Sequence, residues 1–543
     1  MQILKTDGDS GVGLLCTGRQ CAVARRLPVA LVCWMTSWLL GAALSSKALP
    51  EETESVPPGV QELQKAVIRA IERAEPSVVA VARVYVPPAR VLGRPLDGFG
   101  GLVRSQDLNS PDFVPNEFGS GVALKAPDGN GELLILTNYH VVVHRGRGVS
   151  AGRADRILVR WSGSPYVTAK IVAADRRSDL AVLRPELSQA GTAAGRLKPA
   201  VLGDASALKK GQFVIVLGNP YALARDGSPS ASWGLISNIR RFPAPTRSQS
   251  FPYAPFRDTF ERLGLILQID VRLPLGTSGG ALLNLKGELI GLTTSLAALE
   301  GYDKTSGYAI PLTPSVRRII ESLMRGQEPE YGFLGIEPGD GRIDARIAAA
   351  DPAFASTGIL AVRVVRVLPN SPAARAGLAT GDLILTVNGR PVHGKYDLMR
   401  EVGLLEPNSI ARLRVWRRLQ QTLLTLPVKL GKWPLYDDRD VIVTQPRYAL
   451  WRGLRVDYPT ARRRFLLGPD TRYPDAVVVT RVEKTSPAER AGLHEGDFIT
   501  HVDDVPVRTP RDFYDVVTRV MGPARLRLWP NREVTLTEND HEN

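Results

Sequence analysis

Short apolar runs separated by turn-forming residues dominate the chain between residues 59 and 324. Residues 59–74 have apolar side chains at helical spacing and end before Pro76, which predicts a helix. Compact apolar runs bounded by Gly, Pro and Asp follow at 78–82, 133–136, 213–217 and 289–294. Such punctuation is typical of antiparallel β-barrels, and 315–323 then predicts a closing helix before the charged segment 325–328.

The last third of the chain contains one pattern twice. Residues 365–378 correspond to 480–493, and in both copies Ser-Pro-Ala is followed by Gly-Leu and then by Gly-Asp. The two Gly-Leu glycines are 492 − 377 = 115 residues apart, which implies two copies of one module. In each copy the pattern predicts a short helix that starts at Ser-Pro-Ala, and a strand after Gly-Asp, at 383–387 or 498–502.

An uncharged apolar run at 27–45 follows Arg25 and Arg26 and precedes small residues at 46–48. This order predicts an export signal within 1–48, followed by a linker at 49–58. The run has 45 − 27 + 1 = 19 residues, so it is also long enough to remain as a membrane anchor. Both interpretations place the rest of the chain outside the cytoplasm.

Composition narrows the class of protein. The 543 residues are 44% hydrophobic and 23% charged, as in globular proteins of several domains. The net charge of +14 is spread along the chain without a nucleic-acid-binding motif, so we expect no nucleic-acid partner. The sequence shows no metal-ligand cluster among its six histidines and no phosphate-binding loop, so we expect neither metal nor cofactor. All three cysteines precede Ala48, and a cleaved product would contain no disulfide.

The best candidate for chemistry is Gly-Thr-Ser-Gly-Gly at 276–280. A serine between glycines suits an acyl-transfer nucleophile whose base lies elsewhere, and His140 and Asp179 stand upstream in apolar segments. The order His, Asp, Ser is the one that paired β-barrels carry. The gaps of 179 − 140 = 39 and 278 − 179 = 99 residues each leave room for several strands.

Each of these residue types suits one role in peptide hydrolysis. Because a hydroxyl is a weak nucleophile near neutral pH, Ser278 needs a base such as His140 to accept its proton and return it to the leaving amine. A buried Asp179 would hold the imidazole in one tautomer and stabilise the imidazolium. The N–H groups of Gly276 and Ser278 would form an oxyanion hole, in a turn that Gly276 and Gly279 make possible.

Seven segments together resemble the HtrA (DegP-like) family of trypsin-fold serine proteases. They are residues 118–122, 136–142, 175–183, 202–204, 216–220, 268–284 and 307–311. The family's catalytic residues fall on His140, Asp179 and Ser278. The resemblance implies a mostly β fold: a trypsin-like double β-barrel protease domain at 59–328, followed by two PDZ domains at 329–431 and 432–543.

The repeated module resembles the PDZ domain, which binds an extended peptide and captures its C-terminal carboxylate. Phe333, Leu334, Gly335 and Ile336 match the family's carboxylate-binding loop. The corresponding residues 453–456 lack the glycine after leucine, so for the second copy peptide capture and a packing role stay equally open. The implied partners are C-terminal peptides and unfolded proteins, bound by a homotrimer or larger homo-oligomer.

A few sequence positions indicate which peptide bonds the protein would cleave and whether its active site would be formed. Arg272, six residues before the nucleophile, disfavours cleavage after Lys or Arg, and the resemblance implies cuts after small aliphatic residues. Thr277 and Ala281 stand where the family usually has asparagine and proline, and Thr277 is β-branched where backbone conformation matters for the oxyanion hole. Residues 240–264 look longer than the family's usual segment and could form a lid or a plain surface loop.

We therefore expect an exported, ATP-independent serine endopeptidase of protein quality control in the stress response. Its expected place is the periplasm or another extracytoplasmic compartment, with or without an anchor at 27–45. The alternative is a proteolytically idle PDZ scaffold or holdase chaperone.

Overall fold

The computed structural model describes residues 57–84, 115, 117–143, 156–219, 226–239, 266–294, 306–354, 360–465 and 474–537. The chain divides into two units, Met1–Pro58 and Gly59–Asn543. The predicted signal at 1–48 and the long segment at 240–264 lie outside the described residues. Within the described ranges, no helix is both long enough and apolar enough to span a bilayer.

Helix α1, Pro58–Ala74, confirms the helix predicted at 59–74, and the first barrel follows it. Its strands are β1 Val78–Val84, β2 Glu117–Lys125, β3 Leu133–Asn138, β4 Arg156–Arg160, β5 Val167–Asp175 and β6 Leu180–Pro185. They pair in the antiparallel order β5-β4-β1-β2-β3-β6, and β6 pairs back with β5 to close the barrel. Helix α2, Tyr139–Val142, directly follows β3.

A second closed barrel lies between β6 and the repeated modules. Its strands are β7 Phe213–Gly218, β8 Ser230–Ile239, β9 Leu267–Ile269, β10 Ala281–Leu283, β11 Leu289–Thr294 and β12 Gly307–Pro311. Helix α3, Pro314–Met324, confirms the predicted closing helix, and the Thr313 side chain caps it by accepting the Val316 N–H. One buried core joins the first barrel, the second barrel and α3, for example through Leu136, Leu217 and Leu323.

The first repeated module has a five-stranded antiparallel path in the order β14-β15-β16-β18-β19. Its strands are β13 Gly332–Phe333, β14 Ile336–Arg342, β15 Leu360–Val367, β16 Leu383–Val387, β17 Arg390–Pro391, β18 Ile410–Arg417, β19 Thr422–Lys429 and β20 Gly431–Lys432. Its helices are α4 Ala345–Ala350, α5 Pro372–Arg375 and α6 Lys395–Gly403. Strand β16 has the predicted bounds, and Ser371 caps α5 by accepting the Ala374 N–H.

Strand β21, Val441–Val443, lies between the two repeated modules in sequence and pairs antiparallel with β5 of the first barrel. The second module repeats the path of the first in the order β22-β23-β24-β26-β27. Its strands are β22 Leu454–Asp457, β23 Val477–Val482, β24 Phe498–Val502, β25 Val505–Pro506, β26 Ala524–Trp529 and β27 Arg532–Leu536. Its helices are α7 Pro487–Arg490 and α8 Pro510–Val517, and short 3₁₀ turns occur at Glu75–Ser77, Leu187–Arg196, Pro352–Phe354, Asp438–Asp440 and Arg463–Phe465.

Candidate active site

The first barrel brings His140 and Asp179 together. His140 lies in α2 at the end of β3, and Asp179 lies in the turn between β5 and β6, which neighbours β3 in the sheet. The His140 Nδ1 atom is 2.8 Å from Asp179 Oδ2, and the His140 N–H donates to Asp179 Oδ1 over 3.1 Å. The Asp179 carbonyl accepts hydrogen bonds from the Tyr139 N–H at 2.9 Å and from the Asn138 side chain at 3.1 Å. Asp179 is thus buried and held through both its backbone and its carboxylate.

The second barrel supplies Ser278 on a buried loop before β10. The Thr277 hydroxyl donates to the Pro274 carbonyl over 2.7 Å, and the Thr277 carbonyl accepts from the Thr293 hydroxyl at 2.6 Å. The β-branched side chain that departs from the family pattern is therefore accommodated by the loop's own hydrogen bonds. Gly279 has φ of +83°, and a Cβ there would lie 2.1 Å from the Ser120 carbonyl oxygen, so the position requires glycine.

Ser120, in β2 of the first barrel, joins that barrel to the nucleophile loop. Its N–H donates to the Ser278 carbonyl over 2.7 Å, and its hydroxyl donates to the Gly276 carbonyl over 2.7 Å. The same hydroxyl accepts the Asn219 N–H at 2.8 Å. The segment 118–122 is one of the seven that resemble the family, but no role was predicted for Ser120. The signal was present in its Gly-Ser-Gly pattern, because a Cβ on Gly119 would lie 2.7 Å from the Val141 side chain and one on Gly121 would lie 2.5 Å from the Ile135 side chain.

The hydrogen bond between histidine and serine that completes a Ser-His-Asp arrangement is not formed in this structure. His140 Nε2 is buried and, within the described ranges, has no hydrogen-bond partner, so it makes no hydrogen bond with Ser278 Oγ. Catalytic hydrogen bonds are often long before substrate binds. The structure therefore pairs the candidate base with its orienting carboxylate and leaves the acceptor atom of the base available. Among the described residues there is also no group of three or more potential metal ligands.

A buried charge cluster lies beside the turn that carries Asp179. Burial alone would lower the pKa of Arg177, but Asp175 and Glu328 raise that pKa above its ordinary value. Burial alone would raise the pKa of Glu328, but Lys432, Arg462 and Arg177 lower it to about 2. These opposing effects mean that the cluster is stable only with its partners in place.

The structure corrects the predicted comparison of the two carboxylate-binding loops. Ile336 pairs with Val367, and Leu454 pairs with Val482, so Leu454 is the counterpart of Ile336. Gly453 therefore matches Gly335, and the two have φ of +80° and +81°. The second copy keeps the glycine, and what it changes is the preceding residue, which is arginine instead of leucine. The prediction was wrong because the loop lies 377 − 335 = 42 residues before the repeated glycine in one copy and 492 − 453 = 39 in the other.

The peptide groove of the second module is occupied by its own side chains. A PDZ peptide pairs with the edge strand, which is β22 here. The Val456 N–H on that strand donates instead to the Tyr514 hydroxyl of α8 over 3.3 Å. The Tyr448 ring stacks on Tyr514 with centroids 4.3 Å apart, so two aromatic rings cover this part of the groove.

Two closed β-barrels that carry a buried His–Asp pair and a serine in a glycine-rich loop, followed by two repeated modules, define a trypsin-like serine peptidase with PDZ domains. Comparison with known families agrees: residues 119–292 match the trypsin-like peptidase domain, and residues 363–417 and 478–528 match the PDZ domain. The predicted mostly β fold is confirmed.

Similar proteins extend over most of the chain. The probable periplasmic serine endoprotease DegP-like of Ectopseudomonas mendocina is 30% identical over 463 residues, which cover 82% of this chain and 87% of that protein. Its namesake in Pseudomonas fulva is 29% identical over 466 residues, with the same shares covered. A solved serine endoprotease from Yersinia pestis shares 24% identity, covers 67% of this chain and 97% of its own, and has a TM-score of 0.40. The chain belongs to the DegP-like family of serine endoproteases, which confirms the predicted enzyme class.

Proposed function

We propose that this chain hydrolyses peptide bonds in unfolded or damaged proteins, with Ser278 as nucleophile, His140 as base and Asp179 as the residue that orients it. The observation that carries this proposal is the 2.8 Å contact of His140 Nδ1 with buried Asp179, which leaves the buried Nε2 to accept a proton. The carboxylate fixes the tautomer with Nδ1 protonated. The expectation that cleavage after basic residues is disfavoured rests on Arg272, which stands six residues before Ser278 where a basic-specific enzyme would carry an acidic residue.

The oxyanion hole is proposed at the N–H groups of Gly276 and Ser278. Because a trans peptide places its C=O and N–H on opposite sides, the inward Thr277 carbonyl directs the Ser278 N–H away from Thr293. Gly276 has φ of +97°, and its carbonyl is held by Ser120. A donor of this kind stabilises the tetrahedral intermediate by roughly 3 to 4 kcal/mol.

The first PDZ domain is proposed to capture C-terminal carboxylates with the loop formed by Phe333, Leu334, Gly335 and Ile336. The left-handed backbone at Gly335, with φ of +81°, supports this role. Pro338 lies two residues after Ile336 on the edge strand and has no N–H to donate to a peptide. We therefore expect the peptide to be held mainly at its terminal carboxylate.

We propose that the protease domain covers 59–328, the first PDZ domain 329–431 and the second PDZ domain 432–543. We also propose that the chain assembles into a homotrimer or larger homo-oligomer. We place the chain outside the cytoplasm, with 27–45 acting as a cleaved signal or as a membrane anchor. The family's periplasmic members support the extracytoplasmic location. N-terminal sequencing of the mature protein distinguishes the two fates of the signal, because an intact Met1 excludes cleavage.

Turnover of denatured casein by the full chain and by Ser278→Ala tests the function. We expect activity in the wild type and none above background in Ser278→Ala, together with a fluorophosphonate adduct on Ser278. The control is Ser322→Ala, which removes another buried serine whose hydroxyl donates to the Arg318 carbonyl in α3. It is expected to keep both activity and label. Equal rates for wild type and Ser278→Ala would exclude proteolysis.

A second function is favoured by one observation, the missing hydrogen bond at His140 Nε2. If the triad does not assemble when substrate binds, the chain would act as a peptide-binding scaffold or holdase. Protection of unfolded protein from aggregation without cleavage, equal in wild type and Ser278→Ala, would support that function.

A further inference from the structure

The turn between β5 and β6 holds Asp179 in an unusual backbone conformation. Asp179 has φ of +54°, a region that non-glycine residues seldom adopt and that surrounding contacts must maintain. The Asp175 carboxylate, four residues earlier, accepts the Ser178 N–H at 3.1 Å and the Ser178 hydroxyl at 2.9 Å. It also accepts Arg177 Nε at 2.8 Å. The shape of the turn therefore depends on one buried carboxylate.

A residue outside the barrels makes a further contact with that carboxylate. Tyr331, at the start of the first PDZ domain, is buried and donates its phenolic hydrogen to Asp175 Oδ2. The Arg177 guanidinium lies over the Tyr331 ring, 4.5 Å from its centroid. The Tyr331 carbonyl in turn accepts the Trp433 N–H at 2.8 Å. The backbone that carries the ring is therefore held by a hydrogen bond within the PDZ region.

Strand β21 braces the same turn from another side. Val441 pairs with Asp175 in the register of the sheet. The Arg176 N–H donates to the Asp440 carbonyl over 2.9 Å, and the Arg176 guanidinium is 2.7 Å from the Asp440 carboxylate. Residues that follow the protease in sequence thus surround the turn that presents Asp179.

We propose that Tyr331 is a positioning residue for peptide hydrolysis: it holds Asp175, and through Asp175 it keeps Asp179 in hydrogen-bonding position against His140. This proposal rests on the proposed function of the triad. The proposed role of Tyr331 differs from a role in packing, because the effect on hydrolysis comes from the phenolic hydrogen bond to Asp175 and not from the buried ring.

The test compares full-length wild type, Tyr331→Phe, Ser322→Ala and Ser278→Ala. Tyr331→Phe removes only the hydroxyl that contacts Asp175. Ser322→Ala is the control, because it removes another buried hydroxyl, one that donates to the Arg318 carbonyl in α3 and lies outside the Asp179 turn. For Tyr331→Phe we expect kcat on denatured casein to fall at least about tenfold while KM stays within about twofold, since the turn carries no substrate contact. Ser322→Ala is expected to keep the wild-type values.

Hydrogen exchange supplies a readout that does not need turnover. The N–H groups of Tyr139 and His140 both donate to Asp179, so their exchange reports directly on its position. In Tyr331→Phe we expect faster exchange in the peptide that contains them, without faster exchange in β10 and with a Tm close to that of Ser322→Ala.

Three results would overturn the proposal. They are unchanged kcat and exchange in Tyr331→Phe, an equal loss of kcat in Tyr331→Phe and Ser322→Ala, and accelerated exchange throughout the barrels. If wild type and Ser278→Ala are equally inactive, the proposed function fails by itself. The exchange comparison then still decides: selective acceleration next to Asp179 supports the positioning contact, and its absence overturns that contact too.

Discussion

At the scale of single residues, the two halves of the active site are joined through hydrogen bonds to Ser120. His140 and Asp179 come from the first barrel and Ser278 from the second, so the catalytic geometry depends on contacts between barrels. Ser120 provides two of them, to the carbonyls of Gly276 and Ser278. The hydroxyl of Ser120 also satisfies the buried Asn219 N–H. Its loss would break the hydrogen bonds to the Gly276 carbonyl and the Asn219 N–H and would release the loop at Gly276.

We predict that Ser120→Ala lowers kcat on casein by about tenfold or more, because a mobile Gly276 weakens the oxyanion hole. The free energy of unfolding should fall by about 1 to 3 kcal/mol for the unsatisfied groups. The control is Ser77→Ala, which removes a buried hydroxyl that donates to the Ala74 carbonyl over 2.6 Å, outside the catalytic loops. It should lose stability and keep kcat. A wild-type kcat in Ser120→Ala, measured by initial rates at saturating casein, would contradict the role of Ser120.

At the scale of elements, the two PDZ modules have the same path and differ in the groove. Gly335 and Gly453 occupy equivalent positions, and a Cβ on either would lie 2.2 Å or 2.1 Å from the Cβ of the serine that caps the next helix. In the second module, the hydroxyl of Tyr514 accepts an N–H of the edge strand. The second groove is therefore closed, although its loop has the expected glycine.

We predict that the full chain binds a fluorescent peptide with an apolar C-terminal residue through the first module. Gly335→Ala should raise the Kd at least about tenfold, because the added Cβ distorts the loop that holds the carboxylate. Gly453→Ala introduces the same clash in the second module and should leave the Kd within about twofold. Fluorescence anisotropy measures both, and the C-terminal amide of the peptide should bind weakly to every variant. Loss of binding in Gly453→Ala alone would place the peptide in the second module.

Local patterns explain how much of these elements the sequence could predict. The strands at 383–387 and 498–502 were predicted with their observed bounds, since Gly-Asp turns and buried β-branched runs are local signals. The role of Gly453 was not predictable, because the loop is displaced by three residues relative to the repeat and only strand register reveals the match. Tyr514 closes the groove through a contact with Val456, which is distant in sequence, and no local pattern carries that information.

At the scale of the whole molecule, Glu328 lies where the protease and both PDZ modules meet. It contacts Arg177 of the first barrel at 3.4 Å, Lys432 at 3.4 Å and Arg462 at 3.0 Å. The order His140, Asp179, Ser278 was visible in the sequence because each residue lies in its own motif. The junction around Glu328 was not visible in the sequence, because its charges come from four separate segments that only the fold brings together. Its linkage to the Asp179 turn is therefore a property of the assembled chain.

We predict that Glu328→Gln lowers the free energy of unfolding by roughly 3 kcal/mol near neutral pH, and that this difference disappears in acid. Lys432, Arg462 and Arg177 outweigh burial and lower the pKa of Glu328 from 4.5 to about 2. A lowered folded-state pKa contributes stability that is fully present above the unfolded value and is lost as pH falls toward the folded value. The difference between wild type and Glu328→Gln should thus be constant above about pH 5 and shrink steadily toward about pH 2. Urea unfolding across this range measures it, with Glu321→Gln as the control, since Glu321 is half exposed and pairs with Arg325 at 3.8 Å. A difference that stays constant down to about pH 3 would show that the junction does not depend on the charge of Glu328.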